Sequence, residues 1–390
     1  MKSALEILFW LSCALILWTQ LGYALALALL ARVFRDATAA AQPQPASGSP
    51  ARELPTLSLI VAAHDEEGVI ALKVANALAL DYPRERFELI VACDGCSDAT
   101  AERAREAGAE IVLELPRGGK IRAQDAAVVK ATGEIVAFSD ANAFWEPDAA
   151  RVLVSAFAEP LVAYACGQVR FVQAAGEPNQ EGLYWRYEMA VRALESRLSS
   201  ITAGNGAIYA TRRDAYLVVD PVMGHDLSLP FKLVKRGRRA VYVPEAQASE
   251  RMVPSLGGEF ARKRRMMSHT WPILLRGGML SPRGYPPGYA AMILSHRLLR
   301  YSTAGLHLLA LLTNALLVLA GVGGPGHLYV ITLDLQLALL LAAALAGVVP
   351  LRPLLIARYY VLTTASLAAG LWDWLRHGTD ASWEAAEGTR

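Results

Sequence analysis

Residues 57–67 read Leu-Ser-Leu-Ile-Val-Ala-Ala-His-Asp-Glu-Glu, seven mostly apolar residues and then an abrupt change to acid. A short apolar run closed by polar turn residues predicts a strand buried on both faces. Working outward, the pattern recurs at 87–92, 110–113 and 134–139, with helical segments at 67–79, 98–107 and 120–131. Strands alternating with helices predict an α/β fold with a mainly parallel, Rossmann-like sheet. Ligands of such sheets bind at the carboxyl ends of the strands, so the strand-to-helix loops are where chemistry belongs.

The flanks have a different character. Of the 390 residues, 54% are hydrophobic and 19% charged, against ~25% charged in a soluble domain. Residues 7–31 form an almost unbroken apolar stretch, long enough to cross the ~30 Å hydrocarbon core. It is too long for the apolar region of a signal peptide, and its arginines, Arg32 and Arg35, follow it, which predicts an uncleaved anchor with a cytoplasmic C-terminal end. Residues 1–36 are therefore read as an anchor, 37–54 as a linker and 55–257 as the α/β domain. The segment 258–300 has the basic and apolar composition of an amphipathic surface helix. Apolar stretches at 302–322, 328–349 and 354–374 predict two or three spans within 301–376, ahead of a tail at 377–390. Arg358 and Asp373 weaken the last of these, which would otherwise lie in the interface and return the C-terminus to the cytoplasm. A net charge of +2 offers no basic field for nucleic acid.

Four acidic or polar clusters fall at the carboxyl ends of strands or the starts of helices: His64-Asp65-Glu66-Glu67, Asp94-Gly95-Cys96-Ser97-Asp98, Ser139-Asp140-Ala141-Asn142 and Gly224-His225-Asp226. Each alone is explained as a helix cap or turn. Four on one sheet edge bring carboxylates together, and their repulsion calls for a cation or ligand. Hard divalent ions, Mg2+ or Mn2+, prefer oxygen and bridge phosphates, so a pyrophosphate-bearing substrate fits. Arg117-Gly118-Gly119-Lys120 and Arg262-Lys263-Arg264-Arg265 supply basic partners, and neither is a P-loop. The pair Cys93 and Cys96 suits a tight turn better than zinc, which needs further ligands. Trp145 and Trp185 have core packing as their commoner fate, with stacking on a sugar as the alternative. His307, Asn314, Asp334 and Arg358 lie in or near spans, where they are either functional or serve interhelical hydrogen bonding and snorkelling, with His307 and Asp334 as one candidate pair.

In order and spacing these clusters resemble the inverting family-2 glycosyltransferases with a GT-A catalytic domain, over about residues 57–269. His64, Asp65 and Glu66 match the family's usual Tyr-Asn-Glu, and Asp94 its base-recognising Asp. The segment Gly119-Lys120 precedes an Asp-x-Asp loop at Asp140-Ala141-Asn142, Gly204-Asn205-Gly206 matches the acceptor side, and Asp226 matches the catalytic base, eleven residues before Gly237. The resemblance implies donor binding by His64, Glu66, Asp94, Lys120, Asp140 and Arg265, metal binding by Asp140 and Asn142, and general-base catalysis by Asp226. It also implies a nucleotide-sugar donor, with UDP as the nucleotide, and Mg2+ or Mn2+ as cofactor. With the spans, it implies a multi-pass protein of the bacterial inner membrane whose catalytic domain is cytoplasmic.

The sequence departs from the family at Cys93, at Asn142 in place of a metal-binding Asp, and at His225 in place of a Glu before the base. Of the Gln-x-x-Arg-Trp motif of processive synthases only Arg265 remains. Transfer to a lipid or lipid-linked acceptor is therefore favoured over a synthase that extends and exports a polysaccharide. A non-catalytic nucleotide-sugar-binding protein is the reading from another class.

Overall fold

A computed structural model of the chain describes residues 2–34, 53–172, 182–251, 256–322 and 327–381. The expected linker and most of the expected tail lie outside them. The first helix, α1 (Lys2–Val33), is followed by β1 (Leu57–Ala63), α2 (Ile70–Leu78), β2 (Phe87–Asp94), α3 (Thr100–Glu106), β3 (Ile111–Leu115), α4 (Lys120–Lys130), β4 (Ile135–Asp140) and the two-residue β5 (Phe144–Trp145). Then come α5 (Ala149–Ser155), β6 (Val162–Val172), α6 (Gly182–Leu198), β7 (Tyr209–Arg212), α7 (His225–Val234), β8 (Arg239–Arg251) and α8 (Leu256–Leu275). The last four helices are α9 (Pro287–Leu299), α10 (Thr303–Leu319), α11 (Leu328–Leu345) and α12 (Arg352–His377).

The strands form one sheet in the order β3-β2-β1-β4-β7-β6-β8-β5. The first four are parallel. Strand β7 then runs antiparallel between β4 and β6, while β6 and β8 are parallel to each other. The sheet is thus Rossmann-like on one side and mixed on the other. Strand periodicity explains why β1 is apolar at nearly every position: Leu57, Leu59 and Val61 enter one core and Ile60 the other. The same division sends Leu89 and Val91 one way and Ile90 and Ala92 the other. Each fully buried Leu, Ile or Val contributes about 2 kcal/mol.

Among the described residues three helices are long and apolar enough to cross a membrane: α1, α11 and α12. The pair α9 and α10, bent by 63° at the break between them, makes a fourth if the two are taken together as one span. A further apolar cluster joins these helices to the α/β domain, with Tyr23 and Leu27 of α1 packed among Val191, Phe231, Trp271, Tyr289 and Trp374.

Helix α12 packs lengthwise on α8. Lys263 donates to the Tyr359 hydroxyl at 2.6 Å, Trp271 Nε1 donates to the Leu367 carbonyl at 3.1 Å, and the Arg264 guanidinium grips the Asp373 carboxylate at 2.5 and 2.6 Å. Gly370 permits this approach, because a Cβ there would lie 2.5 Å from Met267 Cβ. Beyond α12 the chain turns at Gly378, φ +75°. Thr379 Oγ1 then donates to the Ser268 carbonyl at 2.8 Å, and Ala381 reaches Gly119 at the sheet edge. Both ends of α8 and the far end of α12 therefore remain beside the α/β domain. His307 bonds the Tyr360 hydroxyl at 2.7 Å rather than Asp334, and Asn314 donates to Thr332 at 3.0 Å.

Candidate active site

The ends of β1, β2 and β4 bring His64, Asp94 and Asp140 to one edge of the sheet. Asp94 is buried, and its carboxylate accepts the backbone N–H of Gly118 at 2.6 Å and of Gly119 at 2.9 Å. It therefore pins the loop before α4. Gly95, φ +60°, has no alternative in this turn, since a Cβ would lie 2.7 Å from Arg117. His64 Nδ1 donates to the Asp94 carbonyl at 2.8 Å, which places a proton on that nitrogen. Its Nε2 faces Asp65 at 3.6 Å. His64, Asp65 and Cys96 are the one trio of potential metal ligands within 4.8 Å among the described residues, and Asp140 is not in it. Asp98 serves as a cap, accepting the Thr100 N–H at 3.0 Å. Glu66 is buried at the start of α2, its backbone N–H donating to Thr100 Oγ1 at 2.8 Å.

Asp140 forms an ion pair with Lys120. Burial draws the lysine down, but the charge of Asp140 holds it above its ordinary value. Two further charged residues, neither anticipated from sequence, surround the pair. Lys73 is fully buried on α2 and donates to the Ala143 carbonyl at 2.5 Å, holding the loop after β4. Burial pushes it down to about 7, against the charges of Asp140 and Glu250. Glu250, near the end of β8, is pushed up to about 7 by burial and by Asp140. Both had a legible signal. Lys73 interrupts the buried stripe Ile70, Val74, Ala77 at helical spacing, and Glu250 continues the inward-facing alternation Ala246, Ala248. Asn142 is partly buried in the turn between β4 and β5.

Asp226 sits in the first turn of α7. Burial raises its carboxyl above the ordinary range, and Lys120 opposes that rise. A Cβ at Gly224 would lie 2.6 Å from Asp226 Oδ1 and would turn that carboxylate from its position. His225 points away into a polar chain: Tyr216 donates to Asp125 at 2.5 Å, leaving its oxygen to accept from His225 Nε2 at 3.1 Å, while Nδ1 faces the Tyr209 hydroxyl at 3.0 Å. Burial pushes the imidazole down to about 3, so it is neutral at physiological pH.

The loop 204–206 lies against this base. Gly204 donates its N–H to the Asp226 carbonyl at 2.7 Å and accepts from Arg192 at 3.0 Å. A Cβ at Gly204 would meet the hydroxyl of Tyr164. The Asn205 amide is engaged on both sides, with the Gly167 carbonyl at 2.5 Å and the Ile208 N–H at 3.0 Å. Gly206 lies over Lys120. On α8 the basic run is divided: Arg262 and Lys263 pair with Glu259, Arg264 pairs with Asp373, and Arg265 is exposed beside His269. Trp145 and Trp185 donate to the Ala207 and Val169 carbonyls at 3.1 Å, as packed residues.

The sheet, its acidic edge and the attached apolar helices are those of a glycosyltransferase with the GT-A fold. Residues 55–268, more than half of the chain, match the family model described as "Glycosyltransferase like family 2", and the chain belongs to that family. It is 28% identical over 212 residues to a beta-monoglucosyldiacylglycerol synthase of Synechocystis, covering 51% of this chain and 42% of that protein. It is 24% identical over 238 residues to a poly-beta-1,6-N-acetyl-D-glucosamine synthase of Staphylococcus aureus, covering 57% of each. The matched region thus spans about half the length of these relatives. A mannosyltransferase of Pyrobaculum calidifontis, solved with GDP-Man and Mn2+, has a TM-score of 0.68 at 22% identity, covering 95% of this chain and 99% of that one. That likeness of fold takes in the apolar helices as well as the α/β domain.

Proposed function

We propose that the protein transfers a sugar, with inversion, from a nucleoside diphosphate donor to a hydroxyl of a lipid or lipid-linked acceptor at the cytoplasmic face of a bacterial inner membrane. The observation that carries this reading is the position of Asp226: a carboxyl raised by burial, at a helix start, across from the Lys120–Asp140 pair. As a carboxylate it takes the proton of the acceptor hydroxyl. The acceptor oxygen then bonds to the anomeric carbon as the bond to the diphosphate breaks, and the nucleoside diphosphate leaves. Lys120 lies where that negative charge grows. UDP is the favoured nucleotide of the donor.

Mg2+ or Mn2+ suits the donor set. Asp140 and Glu250 are hard oxygen ligands whose mutual repulsion raises Glu250, and a cation relieves such repulsion. Asp140 and Glu250 would hold the ion, with the Asn142 amide oxygen as an uncharged third donor. When bound, it neutralises phosphate charge. A lipid acceptor is supported by the arrangement of α8 and α12, which lie together beside the active edge with the far end of α12 returned to it. This packing supports α12 as a surface helix rather than a span.

Asp226→Asn should lower transfer by about 10³-fold while nucleotide binding, followed by calorimetry, stays within a few-fold. Transfer at the wild-type rate would remove Asp226 as the base. Incubating membranes with labelled nucleotide sugars and separating lipid from polymer fractions tests the acceptor, with label expected in lipid.

A further inference from the structure

A cavity of about 700 Å³ lies between α1, α9 and the end of α6, in a part of the molecule the transfer reaction does not use. Two helix faces form its long walls. Leu27 and Leu30 of α1, with Phe34 just beyond its end, lie opposite Ala291 and Met292 of α9, so the interior is almost wholly apolar. Both helices contain a π-helical stretch here, Trp18–Gly22 and Ile293–Leu299. The two stretches are joined by a hydrogen bond from Trp18 Nε1 to Ser295 Oγ at 3.1 Å. Wide turns of this kind are retained where a helix makes room for something.

The polar end belongs to the α/β domain. Arg239 is committed there, its guanidinium holding Glu159 at 2.8 and 2.9 Å. Arg197, in the last turn of α6, is exposed and has no carboxylate partner among the described residues. The cavity thus combines an apolar slot with one available cation at its mouth. Arg239 stands at the start of β8, and Glu250 of the donor edge lies 11 residues further along the strand. At ~3.3 Å per residue that is roughly 30 Å or more, so an occupant of the cavity is not in contact with the reacting groups.

We propose that this cavity binds one anionic phospholipid of the adjoining leaflet, with an acyl chain between α1 and α9 and the headgroup phosphate on Arg197. The slot opens beside helices that pass for membrane spans, so hydrocarbon chains are its neighbours. A zwitterionic headgroup would bring a second cation to Arg197, whereas phosphatidylglycerol brings only the anion.

The test is native mass spectrometry of the full chain released from vesicles of phosphatidylcholine and phosphatidylglycerol in equal amounts. The wild type should retain phosphatidylglycerol at least tenfold over phosphatidylcholine. Arg197→Glu, a surface change, should abolish that preference, and Ala291→Trp, which fills the slot, should remove bound lipid of both kinds. Equal retention of the two lipids by the wild type would overturn the proposal. So would an Arg197→Glu protein that keeps the preference, or a lipid-free dimer showing that a second copy covers the groove. Should Ala291→Trp fail to fold, the Arg197→Glu comparison decides alone.

Discussion

Glu195 and Glu250 are both carboxylates set among cations inside this protein, yet their surroundings act on them in opposite directions. Glu195, on α6, is fully buried. It accepts from Tyr23 at 2.6 Å, from the Thr202 N–H at 3.0 Å and from His296 at 2.7 Å. Nearby, Glu188 pairs with His296 at 3.2 Å and Arg300 at 2.5 Å, and Arg297 donates to Thr202 at 2.8 Å. Burial pulls these two glutamates upward, but His296, Arg297 and Arg300 hold both below the usual carboxylate range. At the donor edge burial wins instead, reinforced by Asp140 at Glu250 and opposed by it at Lys73, leaving both groups at about 7. One cluster is complete in itself. The other holds a glutamate and a lysine both drawn toward neutrality by burial, a perturbation of the kind that marks a ligand site.

The contrast breaks most readily at Glu195. Glu195→Ala leaves a buried imidazole and guanidinium short of a partner and should cost about 3–5 kcal/mol, read as a large loss of thermal stability in detergent. If the protein melts unchanged, the cluster is not the structural weld its hydrogen bonds imply. Glu250→Gln should act with the other sign, stabilising the ligand-free protein by ~1 kcal/mol at pH 8 while lowering transfer at least tenfold. The sign follows from linkage. A glutamate raised from 4.5 to about 7 binds more protons folded than unfolded, so its contribution is present at low pH and is lost as pH rises through 7. Glu188 and Glu195, being lowered, lose theirs only as pH falls below 4.5.

Mn2+ should raise the melting temperature of the wild type by roughly 2 °C or more and that of Glu250→Gln by distinctly less. Equal shifts would remove Glu250 from the metal set. The smallest effect belongs to Lys73. Lowered from 10.5 to about 7, it makes the folded protein gain stability as pH rises between those values. Lys73→Met should change stability at pH 8 by no more than about 1 kcal/mol but flatten that rise in a pH series of denaturant melts.

The same division separates what the sequence made legible from what it did not. Strand β1 lies at 57–63 as its apolar run predicts, and β2 and β4 begin and end within two residues of expectation, because a buried parallel strand is a local pattern. The loops carrying Asp94, Asp140 and Asp226 were visible for the same reason, each being a short acidic break in an apolar run. What was hidden depends on pairs distant in the chain. Glu250 is raised by burial together with Asp140, 110 positions away, and Arg264 owes its ion pair to Asp373. His225 reads in sequence as a titrating neighbour of the base, yet Tyr209 and Tyr216 tie it up as a neutral strut. Helix α12 passes every test of length and hydropathy for a span. Only its packing against α8 and the docking of Thr379 on Ser268 show where its end lies.

The cluster around Glu195 also sets the smallest piece of this chain that can be handled by itself. The family match ends at residue 268, whereas His296, Arg297 and Arg300, which complete the charges of α6, come after it, and Tyr23 comes well before. A fragment cut at the borders of that match would strand Glu188 and Glu195 and lay bare the apolar face shared by Tyr23, Trp271, Tyr289 and Trp374. The matched domain and the unit of folding differ here, and expression should follow the second.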